Sequence, residues 1–237
     1  MQIKMPTSPP SIKEPSPKSI QKSVPKSGRK LGRQSAEIAD QTKLEIICAA
    51  LAVFAQSGFE AASLRDIAGN AASTHSLIRH HFGSKEGVWQ AVVNHAVSRY
   101  TQSLETHLER LDDSQPSDPV ESLRSVLGSM LQVSATHSEV AKLLMREGGE
   151  DGPRLDYLLE RLLQSQGRLI PLLLEVQKLG YLKQFDPPMF LMTLLVMGDA
   201  PLALPALVKA ITGHDVQNPA FLEHHIETVL ETLLPRR

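Results

Sequence analysis

Between Ser63 and Trp89 the chain reads SLRDIAGNAASTHSLIRHHFGSKEGVW. Two short helical patterns stand here with almost nothing between them. Ser63 is placed to N-cap the first, and Asp66, three residues on, lies where a first-turn carboxylate is favoured by the helix dipole. Leu64, Ile67 and Ala68 supply its apolar face at spacings of three and four. Ala71-Ala72-Ser73 is the turn, Thr74 a second N-cap, and Leu77, Ile78 and Phe82 the apolar face of the second helix. Its other face carries His75, Ser76, Arg79 and His80. A short helix with a polar, partly cationic outer face suits insertion into the major groove of DNA. The spacing therefore predicts a helix-turn-helix unit.

The segment Thr42 to Val93 resembles the DNA-binding region of the TetR family of bacterial transcriptional regulators. The matching pieces are Phe54-Ala55-Gln56-Ser57-Gly58-Phe59, then Ser63-Leu64-Arg65-Asp66-Ile67-Ala68, then Ile78-Arg79-His80-His81-Phe82 and Ser84-Lys85-Glu86-Gly87-Val88. The chain departs from the family pattern at three places. Ala72 stands where the family usually has Gly, Ser73 where it has an apolar residue, and Arg79 where it has Tyr. Arg at this position can pair with guanine or phosphate, which Tyr does not do in the same way.

Composition agrees with an all-α chain. Aromatic residues are 4% against 41% hydrophobic overall, Leu and Ala are abundant, and β-branched runs and Asn-Gly hairpin signals are missing. The formal net charge of −1 hides an asymmetry. Residues 1–99 hold 13 Lys/Arg against 7 Asp/Glu, and residues 100–237 hold 12 against 19. A basic front fits one end facing phosphate. The one cysteine, Cys48, cannot form a disulfide within the chain; among Ile47, Leu51 and Ala52 it reads as a small buried hydrophobe. No apolar run reaches the ~18–20 residues of a membrane span, and the N-terminus lacks a signal-peptide core, so a soluble, cytoplasmic protein is expected.

Three regions follow. Residues 1–38, rich in Pro, Ser and Lys without apolar periodicity, read as a disordered basic tail whose end, Gly28 to Arg33, could lie along DNA. Residues 39–84 form the helix-turn-helix domain. Residues 85–237 form a larger helical domain. A first helix is predicted from about Ala39 to Ser57, and a fourth from Ser84 to about Leu111. A fifth runs from about Val120 to Thr136 and a sixth from about Glu139 to Arg146. The seventh runs from Pro153 to about Leu179 with a kink at Pro171. The eighth starts at Asp186, is interrupted by Pro201 and Pro205, and ends near Gly213. The last runs from Pro219 to about Leu234. On that last helix Leu222, Ile226, Val229, Leu230 and Leu233 make a broad apolar stripe.

Enzymatic signatures are missing: there is no Gly-x-Ser-x-Gly, no Walker loop and no dinucleotide fingerprint. The pairs His80-His81 and His224-His225 are the candidates for metal, but adjacent helical residues point about 100° apart and cannot chelate one ion alone. No cofactor and no metal is expected. The resemblance implies a regulator, a repressor released from near-palindromic operator DNA by a small ligand, acting as a homodimer. On it Ser63, Arg65, Thr74, His75, Ser76, Arg79, His80, His81 and Lys85 are the expected DNA-contacting set. The expected apolar or amphipathic ligand would meet Val126, Leu127, Met130, Met145, Leu169 and Leu173, between the fourth, fifth, seventh and eighth helices. The stripe on the last helix is the expected dimer interface. The alternative is a ligand-independent DNA-binding protein whose C-terminal part only dimerises.

Overall fold

The computed structural model describes the backbone of residues 28–112, 118–164 and 167–235, whose regular elements are all helices, with no strand among them. The chain divides into two units between Ala39 and Asp40. In order, the helices are α1 (Gly28–Ala61), α2 (Leu64–Asn70), α3 (His75–Phe82), α4 (Lys85–Asp112), α5 (Pro119–Thr136), α6 (Ser138–Glu147), α7 (Pro153–Leu163) and α8 (Leu169–Lys178). Then come α9 (Pro187–Leu194), a widened π-type stretch (Leu195–Asp199), α10 (Ala200–Ala203), α11 (Pro205–Thr212) and α12 (Pro219–Leu233).

α1 begins at Gly28, ahead of the expected Ala39. Pro25 is the last proline before it, and Arg, Lys, Leu, Gln, Ala and Glu in the next turns all favour helix. The stretch Gly28–Arg33, read as part of a disordered arm, is thus helical backbone, while residues 1–27 lie outside the described residues. The regular helix stops where expected, at Gly58, whose φ of 76° is open to glycine. The spacing of Leu44, Ile47, Cys48, Leu51, Phe54 and Ala55 predicts the buried side of this helix, and of these Phe54 is buried. Ile46, Ala50, Val53 and Phe54 face the core, and Cys48 is exposed instead of buried. The apolar residues of α1 run more than halfway round the helix, so periodicity alone left the inward side open by one position. For the same reason Glu37–Ala61 is long and apolar enough, by length and composition, to cross a membrane, contrary to expectation; several of its apolar residues are spent on the core of the Asp40–Arg237 unit.

Helices α2 and α3 start as local sequence dictates. Ser63 and Asp66 form a reciprocal capping box, with the Asp66 N–H donating to Ser63 Oγ and the Ser63 N–H to Asp66 Oδ2, both at 3.1 Å. Thr74 Oγ1 accepts from the Leu77 N–H at 3.2 Å. α4 then packs its first turn onto the end of α3. A Cβ on Gly87 would lie 2.0 Å from the Phe82 carbonyl oxygen, so only glycine admits this approach.

In the C-terminal part α5 is the central element, packing against α4, α6, α8, α12 and the π-type stretch. Arg124 of α5, buried, donates to the Leu234 carbonyl and to the Glu231 carboxylate, which pins the end of α12. Two predicted helices are broken. The seventh is two, α7 and α8, because Pro171 lacks an N–H and its ring would strike the carbonyl of Gly167; the chain restarts so that Pro171 falls in the first turn of α8. The eighth is four segments. Pro201 is incompatible with a regular helix through Met197, and the backbone widens there, the Ala200 N–H reaching back to the Leu195 carbonyl. Gly198 in this stretch sits so close to α5 that a Cβ would lie 2.4 Å from Leu131 Cδ2. Pro205 then turns α11 by 87°.

The turn between α2 and α3 carries the consequence of the two departures there. Ala72 adopts φ of 46°, a left-handed conformation that costs a side-chain-bearing residue about 1–2 kcal/mol. The hydroxyl of Ser73 is buried without a partner. Ala72→Gly should therefore stabilise the protein by about 0.5–1 kcal/mol once the freer unfolded chain is counted. Thermal unfolding of the two proteins checks this, and an unchanged or lower midpoint would show that the turn holds no strain.

Candidate nucleic-acid interface and apolar cavity

On α3, Ile78 is fully buried and Leu77 and Phe82 pack inward, which turns His75, Ser76, Arg79 and His80 to solvent on one side. Thr74 and Arg65 are exposed beside them. This is the outward face expected of the second helix. His81 is half-buried and stacks edge-on against Phe82, with ring centroids 6.1 Å apart. Ser63 spends its hydroxyl on the cap of α2.

Lys85 departs most from expectation. Its ammonium points inward and donates to the carbonyls of Phe59 at 2.9 Å, Ala62 at 3.1 Å and Glu60 at 3.4 Å. It also lies 4.2 Å from the centroid of the Phe59 ring. The three donors of the group are used, and no phosphate contact is left for it without breaking them. The carbonyls it binds belong to the short stretch that follows the break at Gly58 and leads into α2. Arg154, at the start of α7, sits 4.1 Å from the same ring and pairs with Glu60 at 3.1 Å and Glu147 at 2.9 Å. Phe59 thus joins the end of α1 to both α4 and α7. Sequence reading found Phe59 and Lys85 by motif but gave no sign of Arg154, which is 95 positions away from Phe59 in the chain.

Further along α4, Trp89 is buried and its ring neighbour is Tyr157 of α7, with centroids 6.0 Å apart. Beyond it lies a cavity of about 410 Å³. Its wall is mostly apolar: Met130 from α5, Val140, Ala141 and Leu144 from α6, Leu159, Leu162 and Leu163 from α7, and Pro188, Leu191, Met192, Leu194 and Leu195 from α9 and the widened stretch. Tyr100, Ser134, His137 and Asp199 are its polar members. The expected helices enclose it, with α6 in addition. Of the expected residues, only Met130 is in the wall. Leu127, Leu169 and Leu173 are packed core, and Val126 lies partly buried against that core. Met145 lines a separate depression with Ala52 and Ala55 of α1. The break before Pro171 explains the error for Leu169 and Leu173: it sets α8 against α5, where a continuous helix would have carried them along the cavity.

Asp199 is the one carboxylate among the described residues of this wall. Burial pushes its carboxyl up to about 6 from 3.8, with the Ser134 hydroxyl drawing it partly back. Burial, with the Asp199 carboxylate nearby, also pushes the Tyr100 phenol well above its usual range. No cation pairs with Asp199 among the described residues. Because the folded state holds the Asp199 proton more tightly than the unfolded chain does, this group's contribution to stability falls as pH rises from about 4 to about 6. His137, also buried, has Nε2 2.8 Å from Ser103 Oγ and Nδ1 3.4 Å from Glu139.

The stripe on α12 is not free for a partner chain. Ile226, Val229, Leu230 and Leu233 are buried within the subunit, and Leu222 packs against the same core. The outward apolar surface is instead Val196, Leu204, Leu207 and Ile211, the last 75% exposed, beside Phe221, His224 and Thr228 of α12. The 87° turn at Pro205 puts it there.

Residues 46–92 match the family model described as "Bacterial regulatory proteins, tetR family". The transcriptional repressor NicS of Pseudomonas putida is 32% identical over 124 residues, an alignment that takes in 52% of this chain and 56% of that protein. The probable transcriptional regulator YttP of Bacillus subtilis is 22% identical over 79% of this chain and 90% of its own length. In fold, the chain is similar to the fatty acid degradation regulator FadR of Bacillus halodurans, with a TM-score of 0.58 and 21% identity over 82% of this chain and 97% of that one. These relatives are regulators of transcription, none of them named as an enzyme. Residues 46–92 thus carry the helix-turn-helix unit described by the model of the bacterial regulatory proteins of the tetR family, and the chain as a whole shares the all-helical fold of these solved regulators.

Proposed function

We propose that this regulator is a homodimeric repressor, working in the cytoplasm on near-palindromic operator DNA, that a small apolar or amphipathic molecule releases. The observation that carries this reading is the double membership of α4. Its first residue, Lys85, is bound into the carbonyls that close α1, and its Tyr100 stands in the cavity wall. Fifteen helical residues separate the two, about 22 Å of rigid helix. A ligand that moves Tyr100 moves the support of α1 to α3. Arg154 gives α7, the opposite wall, the same kind of hold on Phe59 and Glu60.

The functional division falls at Ser84, with DNA recognition before it and ligand and partner recognition after. In the DNA complex His75, Ser76, Arg79 and His80 face the groove, with Arg65 and Thr74 at the phosphates. Lys85 and Ser63 act behind them by holding the helices in place. One such unit makes few base contacts, and a dimer supplies the specificity that one unit lacks. The exposed surface of α11 and α12 around Leu207, Ile211 and Phe221 is the proposed contact between subunits, in place of the buried stripe. Regulation then follows from differential affinity: a ligand that fits better when α4 has shifted weakens operator binding, and the operator weakens ligand binding by the same factor.

Three experiments test the parts separately. Arg79→Ala should cost about 1–3 kcal/mol on an operator recovered by genomic footprinting and relax its base preference; equal weakening on random DNA would assign Arg79 to the backbone. Ile211→Glu should give monomers by analytical ultracentrifugation and lose operator binding at the same time, whereas an intact dimer would place the interface elsewhere. Met130→Trp should fill the cavity, keep operator binding and abolish ligand release in a gel-shift titration. Release at wild-type ligand concentration would remove the cavity from the mechanism.

A further inference from the structure

The cavity holds an imbalance that its apolar character does not explain. Asp199 stands in the wall among leucines and methionines, and among the described residues lining the cavity there is no lysine or arginine. Its polar neighbours are the hydroxyl of Ser134 from α5 and the phenol of Tyr100 from α4, and neither neutralises a charge. His137, at the junction of α5 and α6, is engaged with Ser103 and Glu139. His225 of α12 is turned to the Gly198 carbonyl, to which its Nε2–H donates at 2.9 Å. A carboxylate buried without a counter-ion is costly, and proteins usually pair it or lose it. The backbone is arranged to present this one. The widened stretch ends on Asp199, held from one side by His225 and from the other by the close approach of Gly198 to Leu131. Such widened turns inside helices recur at functional sites.

A metal ion does not fit, since among the described residues no group of three or more His, Cys, Asp or Glu is placed to hold one. A ligand carboxylate would meet like charge in a low-dielectric wall. We infer that the effector carries a protonated amine on an apolar body, its ammonium paired with Asp199 at the Tyr100 and Ser134 end of the cavity and its hydrocarbon lying against Met130, Leu162 and Leu191. This assignment rests on the cavity being the ligand site proposed above. The ammonium supplies the missing counter-charge, and the Tyr100 ring beside it adds a cation–π surface. The rise of the Asp199 carboxyl toward neutrality fits the same want of a positive partner.

The test uses the full chain and three probes of one shape: decylamine, decanol and decanoate, each titrated by calorimetry at pH 8 below its micellar concentration. Decylamine should bind roughly tenfold or more tightly than decanol, with decanoate weakest. Asp199→Asn should remove the preference of amine over alcohol. The wild-type series decides the matter even if that variant does not fold. Binding of decanol or decanoate as tight as that of decylamine, or an amine preference that survives Asp199→Asn, overturns the charge assignment but leaves the cavity as a ligand site. Failure of all three probes to bind, or binding that Met130→Trp does not weaken, overturns both.

Discussion

The ammonium of Lys85 carries the joint on which the rest of the molecule turns. After the break at Gly58 the chain turns toward α2, and a carbonyl left there without a donor is expensive. Lys85, the first residue of α4, donates to three carbonyls of this turn, those of Phe59, Glu60 and Ala62. The C-terminus of one helix and the N-terminus of another are thereby locked together with Phe59 between them, and Arg154 closes the other side of that ring. The strength of this joint lies in its geometry. Each cation keeps its charge satisfied by oxygen while its face lies on the aromatic ring, so neither can leave without exposing carbonyls, carboxylates or both.

What could be read from the sequence was whatever is decided within a few residues. Ser63 with Asp66, and Thr74, cap the helices assigned to them, as Asp186 and Asn218 cap α9 and α12, since a cap depends on its own side chain and the next two or three N–H groups. The outward face of α3 was legible for the same reason: Ile78 and Phe82 fix the inner side of an eight-residue helix and leave little freedom for the rest. Longer-range choices were not legible. The inward side of α1 depends on which of its many apolar residues meets α4. The role of Lys85 depends on carbonyls more than twenty positions away. Arg124, a buried charge in an apolar helix, is explained only by the end of α12, 110 positions later.

The cavity shows the same division. Its enclosing helices were expected partly from the resemblance and partly from their apolar faces, but the side chains in its wall were not, because three prolines decide their orientation. Pro171 ends one helix and starts another, which sends Leu169 and Leu173 into the core. Pro201 widens the backbone before it and Pro205 bends the backbone after it. The sequence marks each proline as a disturbance; the direction of the disturbance comes from what packs around it, here Leu131 against Gly198 and His225 against the Gly198 carbonyl.

The widened stretch Leu195–Asp199 amounts to one extra residue in a helix. A single residue added to or taken from a helix rotates everything beyond it by about 100°. The carboxyl of Asp199 and the apolar surface that follows it on α11 are downstream of the same insertion, so their angular phase is set together. A lineage that lost this one residue would turn the acid out of the cavity and redirect the outer surface in the same step. Substitution of side chains, by contrast, could alter what the cavity accepts one contact at a time. The helix phase makes the difference between adjusting this cavity and rebuilding it.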